Sequence, residues 1–445
     1  MKKYDSYKDS GVEWIGEIPS EWECLRLGML GDFSSSGIDK KSKEDETPVR
    51  MVNYTDLIQS RKYYPIQTGE KEYMRVTTPQ SKLEEHRLKK GDMVFIPSSE
   101  THEDLGYSSL IDFDENDIVY SYHILRYITK KPVYHYYKKY LINHHSVLNQ
   151  FSSECKGTTR QIIGRDVFNN VRVVLPPLSE QQQIVSFLDT KTSLIDSLIE
   201  KTQRKIELLK EKRTSLINEV VTKGLNPNVE MKDSGVEWIG EIPNHWKKSK
   251  FKFHSEIVTG NTPSKKKEEL YYTDDKDGLP WVKPTRLDQG FDFVFKSDQY
   301  LTDEGQNETR VIPKNSIMVC SIGNTLGKFG ISGCEMSTNQ QINSVICDEN
   351  SLFHRFCLFF VSVLTEDLIK WTNFVTLPIF TKSDFEVTEI IIPPLSEQQQ
   401  IVEYLDEQTQ KIDKIISIEE KRIKLLKEYR QSLISEVVTG KRKVV

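Results

Sequence analysis

Few residues in this chain have the types and spacing that chemistry needs, and most of them fall short of it. Gly323-Asn324-Thr325-Leu326-Gly327-Lys328 has nearly the spacing of a phosphate-binding loop. Such a loop cradles phosphates with backbone amides and reaches them with a lysine. Here it is one residue short, and Phe329 stands where Ser or Thr should hold magnesium. Thr101-His102-Glu103-Asp104 and His144-His145 could supply metal ligands, but no helical i,i+4 His pair supports them. The prolines of VLPPL (174–178) and IIPPL (391–395) lack the preceding Asn or Asp and the following aromatic with which an amino-methyltransferase holds its base. No Gly-rich strand–turn–helix offers an S-adenosylmethionine site, and no nuclease-like set of acids and lysine stands out. The pattern favours recognition over catalysis.

For recognition the supply is ample. Arg, Lys, Asn and Gln make directional bonds to base edges, while Thr, Ser and Tyr add phosphate or methyl contacts. In the first half these types gather as Arg50, Asn53, Thr55, Ser98, Ser99, Tyr122, Thr158, Thr159, Arg160 and Gln161. In the second half they are Thr262, Ser264, Lys265, Lys266, Lys283, Thr285, Arg286, Asn324, Asn339, Gln340, Thr376 and Lys382. Gly260 to Lys267 reads as a flexible basic loop suited to phosphates, although a solvated loop would have the same composition.

The elements that position these residues come in two copies. KDSGVEWIGEIP, residues 8–19, recurs unchanged at 232–243, and Trp22 is matched by Trp246. PPLSEQQQIV at 176–185 returns intact at 393–402. The stretches between the boxes, 23–175 and 247–392, are much less alike. The order frame, insert, helix, repeated, predicts a first domain over 1–176, a helix over 177–224, a second domain over 225–392, and a second helix with a tail over 393–445.

Each PPLSEQQQ box carries helix-start signals: proline bars continuation upstream, and Ser179 with Gln182, or Ser396 with Gln399, has capping-box spacing. From Val185 an apolar seam of heptad spacing follows. It includes Leu188, Ile195, Ile199, Ile206, Leu209 and Leu216, and in the second copy Leu405, Ile412, Ile416, Ile423, Leu426 and Leu433. Thr192 and Arg213 interrupt it at the same places as Thr409 and Arg430. Helices of about 40 residues span ~60 Å. Each could simply pack on its own domain, but a duplicated chain favours a pseudo-dimer with antiparallel pairing of the two helices. Leu194, Leu198, Leu208, Ile217 and Val221 widen the apolar stripe beyond a two-helix contact, which suggests a further partner or packing on the inserts.

The inserts share a skeleton beneath their differences. VRMVNYTDL (49–57) aligns with LPWVKPTRL (279–287), residues 87–100 with 310–324, and residues 118–129 with 336–347. An aromatic-rich helix then starts near Pro132 or Leu352, with His135 and His354 at equivalent places. Short strands, Gly/Pro/Asn turns and one or two helices indicate compact α+β domains. Apolar positions stay apolar, while strand ends change: Asn53 against Lys283, Asp56 against Arg286, Ser98 against Ile322, Tyr122 against Gln340, Gln161 against Pro378. Two readers of different ligands would differ in this way, as would loops under neutral drift.

Bulk composition is compatible with this. Hydrophobic content of 37% and charged content of 29% are ordinary for globular domains. The net charge of −5 does not favour a nucleic-acid reader, yet seven lysines and one glutamate lie between Lys247 and Lys267. Six cysteines form no CxxC pair and read as thiols of a reducing cytosol. The N-terminus has no signal-peptide core, and the longest apolar run, Phe356 to Leu364, is too short to span a bilayer, so a cytoplasmic protein is expected.

PPLSEQQQIV followed by a helix ending INEVVTKG or ISEVVTG, and GVEWIGEIP with its following Trp opening each half, resemble the specificity subunit of type I restriction–modification systems. TGNTPSKKKEELYYTDDKDGLPWVKPTRL (259–287) and STNQQIN (337–343) add to the likeness, which covers nearly the whole chain. It implies two α+β target-recognition domains, a pseudo-twofold internal repeat, and an antiparallel coiled coil that separates the domains and binds partners along its seam. It also implies a non-catalytic chain that reads a bipartite, asymmetric double-stranded DNA site. Two modification subunits would bring S-adenosylmethionine to methylate adenine, and restriction subunits would cleave with ATP and magnesium; this chain itself would hold no cofactor or metal. GIDKKSKEDETPVRM (37–51) lacks the TGxTP-Trp signature, so the first insert departs further from the family pattern. A rod of ~60 Å would centre the two half-sites no more than ~18 base pairs apart at 3.4 Å per step. The competing readings are a solitary DNA methyltransferase or nuclease, and an adaptor whose inserts bind protein.

Overall fold

The computed structural model describes residues 3–61, 65–157, 160–264, 268–287, 290–372 and 379–444. The chain forms two compact units: the first comprises Met1–Thr202 and Lys421–Val445, the second Gln203–Glu420. The unit boundary therefore falls inside each long helix, Leu178–Lys223 and Leu395–Val438, and not at the helix starts used to divide the sequence. Among the described residues no helix is long and apolar enough to cross a membrane.

The first unit is built on a five-stranded sheet in the order Gly31–Ser34, Leu125–Thr129, Met93–Phe95, Ser108–Ile111, Ile66–Gln67. The second has the same order in Ser255–Thr259, Ile342–Cys347, Ile317–Cys320, Phe329–Ser332, Phe293–Val294. In each, the first four strands pair antiparallel and the fifth joins parallel. The central strands are buried along their whole length, as expected from runs such as MVF and IMVC that face packed layers on both sides.

A second sheet also repeats. Thr47–Val52 pairs parallel with Ile118–Tyr120 and antiparallel with Met74–Thr78; Leu279–Val282 pairs parallel with Met336–Thr338 and antiparallel with Tyr300–Leu301. The registers agree residue by residue: Val52 faces Tyr120, and Val282 faces Thr338. Ser98 faces Ile162, and Ile322 faces Ile379. The equivalences read from sequence therefore hold at strand level.

One expected element differs. The helix beginning at His354 runs unbroken to Thr372, whereas its counterpart is split into His135–Tyr137, Lys138–Leu141 and His145–Ser153. Asn143 sits at the break. Its side-chain oxygen accepts from the Ser108 amide at 2.9 Å and its amide donates to the Ser108 carbonyl at 2.8 Å, which holds the chain to a strand in place of a helical turn. The next residue, His144, is buried, and its Nδ1 has no partner. Burial pushes its pKa down to about 3, against an unfolded value of about 6.5. A depressed pKa contributes stability above the unfolded value and loses it as pH falls. Between pH 7 and pH 5 this residue alone costs about 2 kcal/mol. The wild-type denaturation curve should thus fall relative to that of His144→Asn over this range; parallel curves would count against a neutral buried imidazole.

Both long helices begin two residues earlier than the capping-box reading allows. The amides of Glu180 and Gln181 already donate to the Pro177 carbonyl, and those of Glu397 and Gln398 to Pro394. Ser179 and Ser396 therefore lie inside the first turn. Polar residues that recur in both copies bolt each helix to its unit instead. Gln181 Oε1 accepts from the Tyr134 amide at 2.8 Å while its Nε2 donates to the Pro176 carbonyl; Gln398 does the same with Phe353 and Pro393.

In the first unit, Trp22 Nε1 donates to Glu180 Oε2 at 2.6 Å, at the start of the first long helix. The same indole lies against Gly440, just past the end of the second, where a Cβ would come 2.2 Å from Pro19. Gly440 has φ +73, which favours glycine in any case. The second unit repeats the clamp: Trp246 Nε1 donates to Glu397 Oε2 at 2.9 Å, and its ring touches Gly224, with φ +75, past the end of the first helix. Each unit thus joins the start of one helix to the end of the other, so the helix segments run antiparallel within it. The interruptions of the seam are matched. Arg430 donates to Asp196 at 2.8 Å in the first unit, and Arg213 lies 3.1 Å from Asp413 in the second. Leu188, Ile195, Leu405, Ile412, Ile416, Ile206 and Leu433 are buried, and Ile199, Leu209, Leu216, Ile423 and Leu426 partly so. Ile217 and Val221 pack into the core of the second unit, whereas Leu194, Leu198 and Leu208 are exposed.

Candidate nucleic-acid interface

In each unit the parallel strand pair ends on the same side, and the candidate contacts leave from there. In the second unit Lys283 follows Val282, and Asn339-Gln340 follow Thr338, on neighbouring strands. The Lys283 ammonium lies 5.1 Å over the Trp281 ring, which holds a cation at the strand end. Trp281 Nε1 donates to the Asn261 carbonyl at 3.1 Å, and Asn261 in turn donates to Glu308 and accepts from the Arg310 amide. This pins the Gly260 loop beside the strands, so that Thr262 hydrogen-bonds Gln340. Thr262, Ser264, Gln340, Thr285 and Arg286 are exposed. Asn339 is buried and spends its side chain on Gln341, to which it donates at 3.0 Å and from whose amide it accepts at 3.1 Å.

Asn324 is exposed in a 3-10 turn that leads into a strand, so no helix N-terminus backs the phosphate-loop look-alike. Lys382 opens the short helix Lys382–Val387, which Thr381 and Asp384 cap reciprocally, and pairs with Glu386 at 3.6 Å.

In the first unit, Asn53-Tyr54-Thr55 and Ser121-Tyr122 occupy the equivalent strand ends. Asn53 is buried, and its Oδ1 accepts from the Thr55 amide and hydroxyl at 2.9 and 2.7 Å. It shapes the loop and leaves Thr55 exposed. Arg50 forks onto Asp117 at 2.8 and 2.7 Å, and this bond holds the Asp117 carboxyl below its usual range. Ser99 is buried against Tyr54 and Asp104, with Ser98 half-buried beside it. Tyr122 is half exposed, its ring centroid 3.8 Å from that of His123. Gln161 pairs across to Ser99, next to exposed Arg160. Thr158, Thr159, Lys265, Lys266 and Thr376 lie outside the described residues.

Sequence reasoning left His102 among isolated polar residues, but it takes a 2.6 Å contact from Gln161 Nε2. His123 was also passed over, and Asn261 was read only as part of the Gly260 loop. Asn261 lies one residue from Thr262, and the Trp281 that anchors it stood in the aligned LPWVKPTRL, so a signal was present. Among the described residues no group of three His, Cys, Asp or Glu is gathered as a metal would need.

Two units built on a five-stranded sheet of the same order, each ending in a different set of exposed polar and basic loops, define a duplicated recognition protein. The family model of the type I restriction modification DNA specificity domain matches residues 19–208 and again 243–428, and the chain belongs to that family of DNA-sequence-recognising specificity subunits. A Methanocaldococcus jannaschii protein with the provisional name type I restriction enzyme MjaX specificity subunit is 23% identical, covering 97% of this chain and 96% of its own. The Escherichia coli EcoR124I/EcoR124II specificity subunit is 28% identical over about half of each chain, 52% of both. In fold, this chain is similar to one in a solved structure that describes complex assembly and conformational transition of the type I R-M system. The TM-score is 0.71 at 16% identity, over 95% of this chain and 98% of that one. The HsdS subunit of Thermoanaerobacter tengcongensis gives 0.53 at 17% identity, over 96% and 98%.

Proposed function

We propose that this non-catalytic chain reads a bipartite, asymmetric site on double-stranded DNA, one half-site per unit, and directs the modification and restriction subunits of a type I complex to it. The observation that carries the reading is the contrast at matched strand ends. Asn53 and Tyr122 in one unit stand where Lys283 and Gln340 stand in the other, at the ends of parallel strand pairs of the same register. One scaffold with two unlike sets of hydrogen-bonding loops suits two different base words. The paired helices set the gap between the words. S-adenosylmethionine, ATP and magnesium belong to the partner subunits. Beside the seam, Leu194, Leu198, Leu425 and Tyr429 are exposed in the first unit, and Leu208, Ile415 and Ile418 in the second. Apolar faces of this kind on long helices support docking of one modification subunit to each unit.

The test is methylome sequencing of cells carrying the complex, with and without exchange of residues 23–175 for another insert. One half of the methylated word should change while the other stays. Change in both halves, or methyl transfer by the purified chain without added subunits, would overturn the proposal. At single-residue level, Gln340→Ala should relax one base position of the second word by about 1–3 kcal/mol of discrimination. Uniform weakening across all sequences would instead place Gln340 on a phosphate.

A further inference from the structure

The two identical boxes do not end in identical surroundings. Trp238, in the second box, is partly buried and packs edge-on against Phe360, with ring centroids 5.6 Å apart. Trp14, its counterpart, is 44% exposed. Beside it the first unit has an open cleft of about 480 Å³. Since the twelve residues around both tryptophans are the same, the difference comes from the insert and not from the box.

The walls of the cleft are specific as well. Glu13, Glu154 and Asp166 line it, and none of these carboxylates pairs with a cation among the described residues. Arg172 is the only basic residue in the lining, and Gln150 fixes its backbone through two hydrogen bonds of 2.9 Å. Among the described residues of the second unit, two of these positions differ. By the matched strand pairing Arg172 corresponds to Glu389, which pairs with Lys248 at 3.2 Å, and Asp166 falls at Ser383. An indole face with three carboxylates and one guanidinium around it repels phosphate and attracts a cation. A planar cation does more: it can lie on Trp14 as Phe360 lies on Trp238 while its N–H groups reach the carboxylates.

We infer that the Trp14 cleft of the first unit is a receptor for an arginine side chain presented by a partner polypeptide, whereas in the second unit Trp238 is partly covered by Phe360. The site marks one unit of an otherwise repeated scaffold, so a partner that uses it engages the chain in one orientation. This inference stands apart from the DNA reading and survives or fails without it.

The test uses the full chain labelled with 5-fluorotryptophan, whose six tryptophans give separate fluorine resonances, the Trp14 line being assigned with Trp14→Phe. Acetyl-Gly-Arg-Gly-amide is titrated against it, with the citrulline tripeptide as an uncharged isostere. The Trp14 line should shift saturably with the arginine peptide and not with citrulline, while the Trp238 line stays fixed. The double variant Glu154→Gln/Asp166→Asn should weaken the arginine response about fivefold or more, with the other five lines unmoved as proof of folding. Equal response to citrulline, an equal shift at Trp238, or no shift of the Trp14 line would each overturn the inference.

Discussion

Trp22→Ala should destabilise the first unit by about 3–5 kcal/mol, the range for removing a buried large aromatic, and should release two helix ends at once. Trp22 is 1% exposed, donates to Glu180 at the start of one long helix and lies against Gly440 at the end of the other. Its loss empties the junction and strands a carboxylate that now accepts an indole N–H. Urea denaturation of the full chain, followed by limited proteolysis near residues 178 and 440, reads both effects. Trp246→Ala should do the same to the second unit, near residues 395 and 224. If either variant unfolded only the other unit, or cost under about 1 kcal/mol, the clamp would be packing without a joining role. Under the proposed function each variant also costs the corresponding half of the DNA word.

A second large effect is expected inside the first insert. Arg126 and Asp92 form an ion pair at 2.7 Å with side chains 8% and 7% exposed. Breaking it by Asp92→Ala or Arg126→Ala leaves a buried, uncompensated charge, which costs about 3–5 kcal/mol. Burial keeps the Asp92 carboxyl above its usual range even with the guanidinium beside it. Desolvation therefore outweighs the attraction for this carboxylate, and the pair is a weak source of net stability. The second unit shows what can replace it: by strand register Asp92 corresponds to Ser316 and Arg126 to Ser344. The double variant Asp92→Ser/Arg126→Ser should accordingly be more stable than either single alanine variant. A double variant at the sum of the two single losses would mean that the charges act independently, against the geometry.

These pairs show how much the sequence made legible. The strand equivalences were readable because apolar alternation survives divergence, and the registers at Val52–Tyr120 and Val282–Thr338 match them. The helix seam was readable for the same reason: a heptad needs only residue type and spacing. The start of each helix was misread. Ser179 and Gln182 satisfy a local capping pattern, but tertiary partners at Trp22 and Tyr134 recruit Glu180 and Gln181 and decide the geometry. Site residues fared unevenly for a related reason. Asn53, Ser99 and Asn339 have the right types for base contacts, yet all three are buried. Whether a polar side chain faces water depends on neighbours far along the chain, which composition cannot rank. Tyr122 and Gln340, at the ends of paired strands, are exposed because the chain must turn there.

The way the two units divide the polypeptide also sets an order of events during synthesis. The second unit is one continuous stretch, Gln203–Glu420, and can close as soon as that stretch has left the ribosome. The first cannot, since its core includes Leu433, Ile434, Val437 and Val438, which are made after the second unit. Until residues 421–438 have been made, Leu188 and Ile195 lack the helix that packs with them, so the first unit is sealed after the second. A chain stopped just before Lys421 would thus expose the apolar interior of the first unit and leave the second intact.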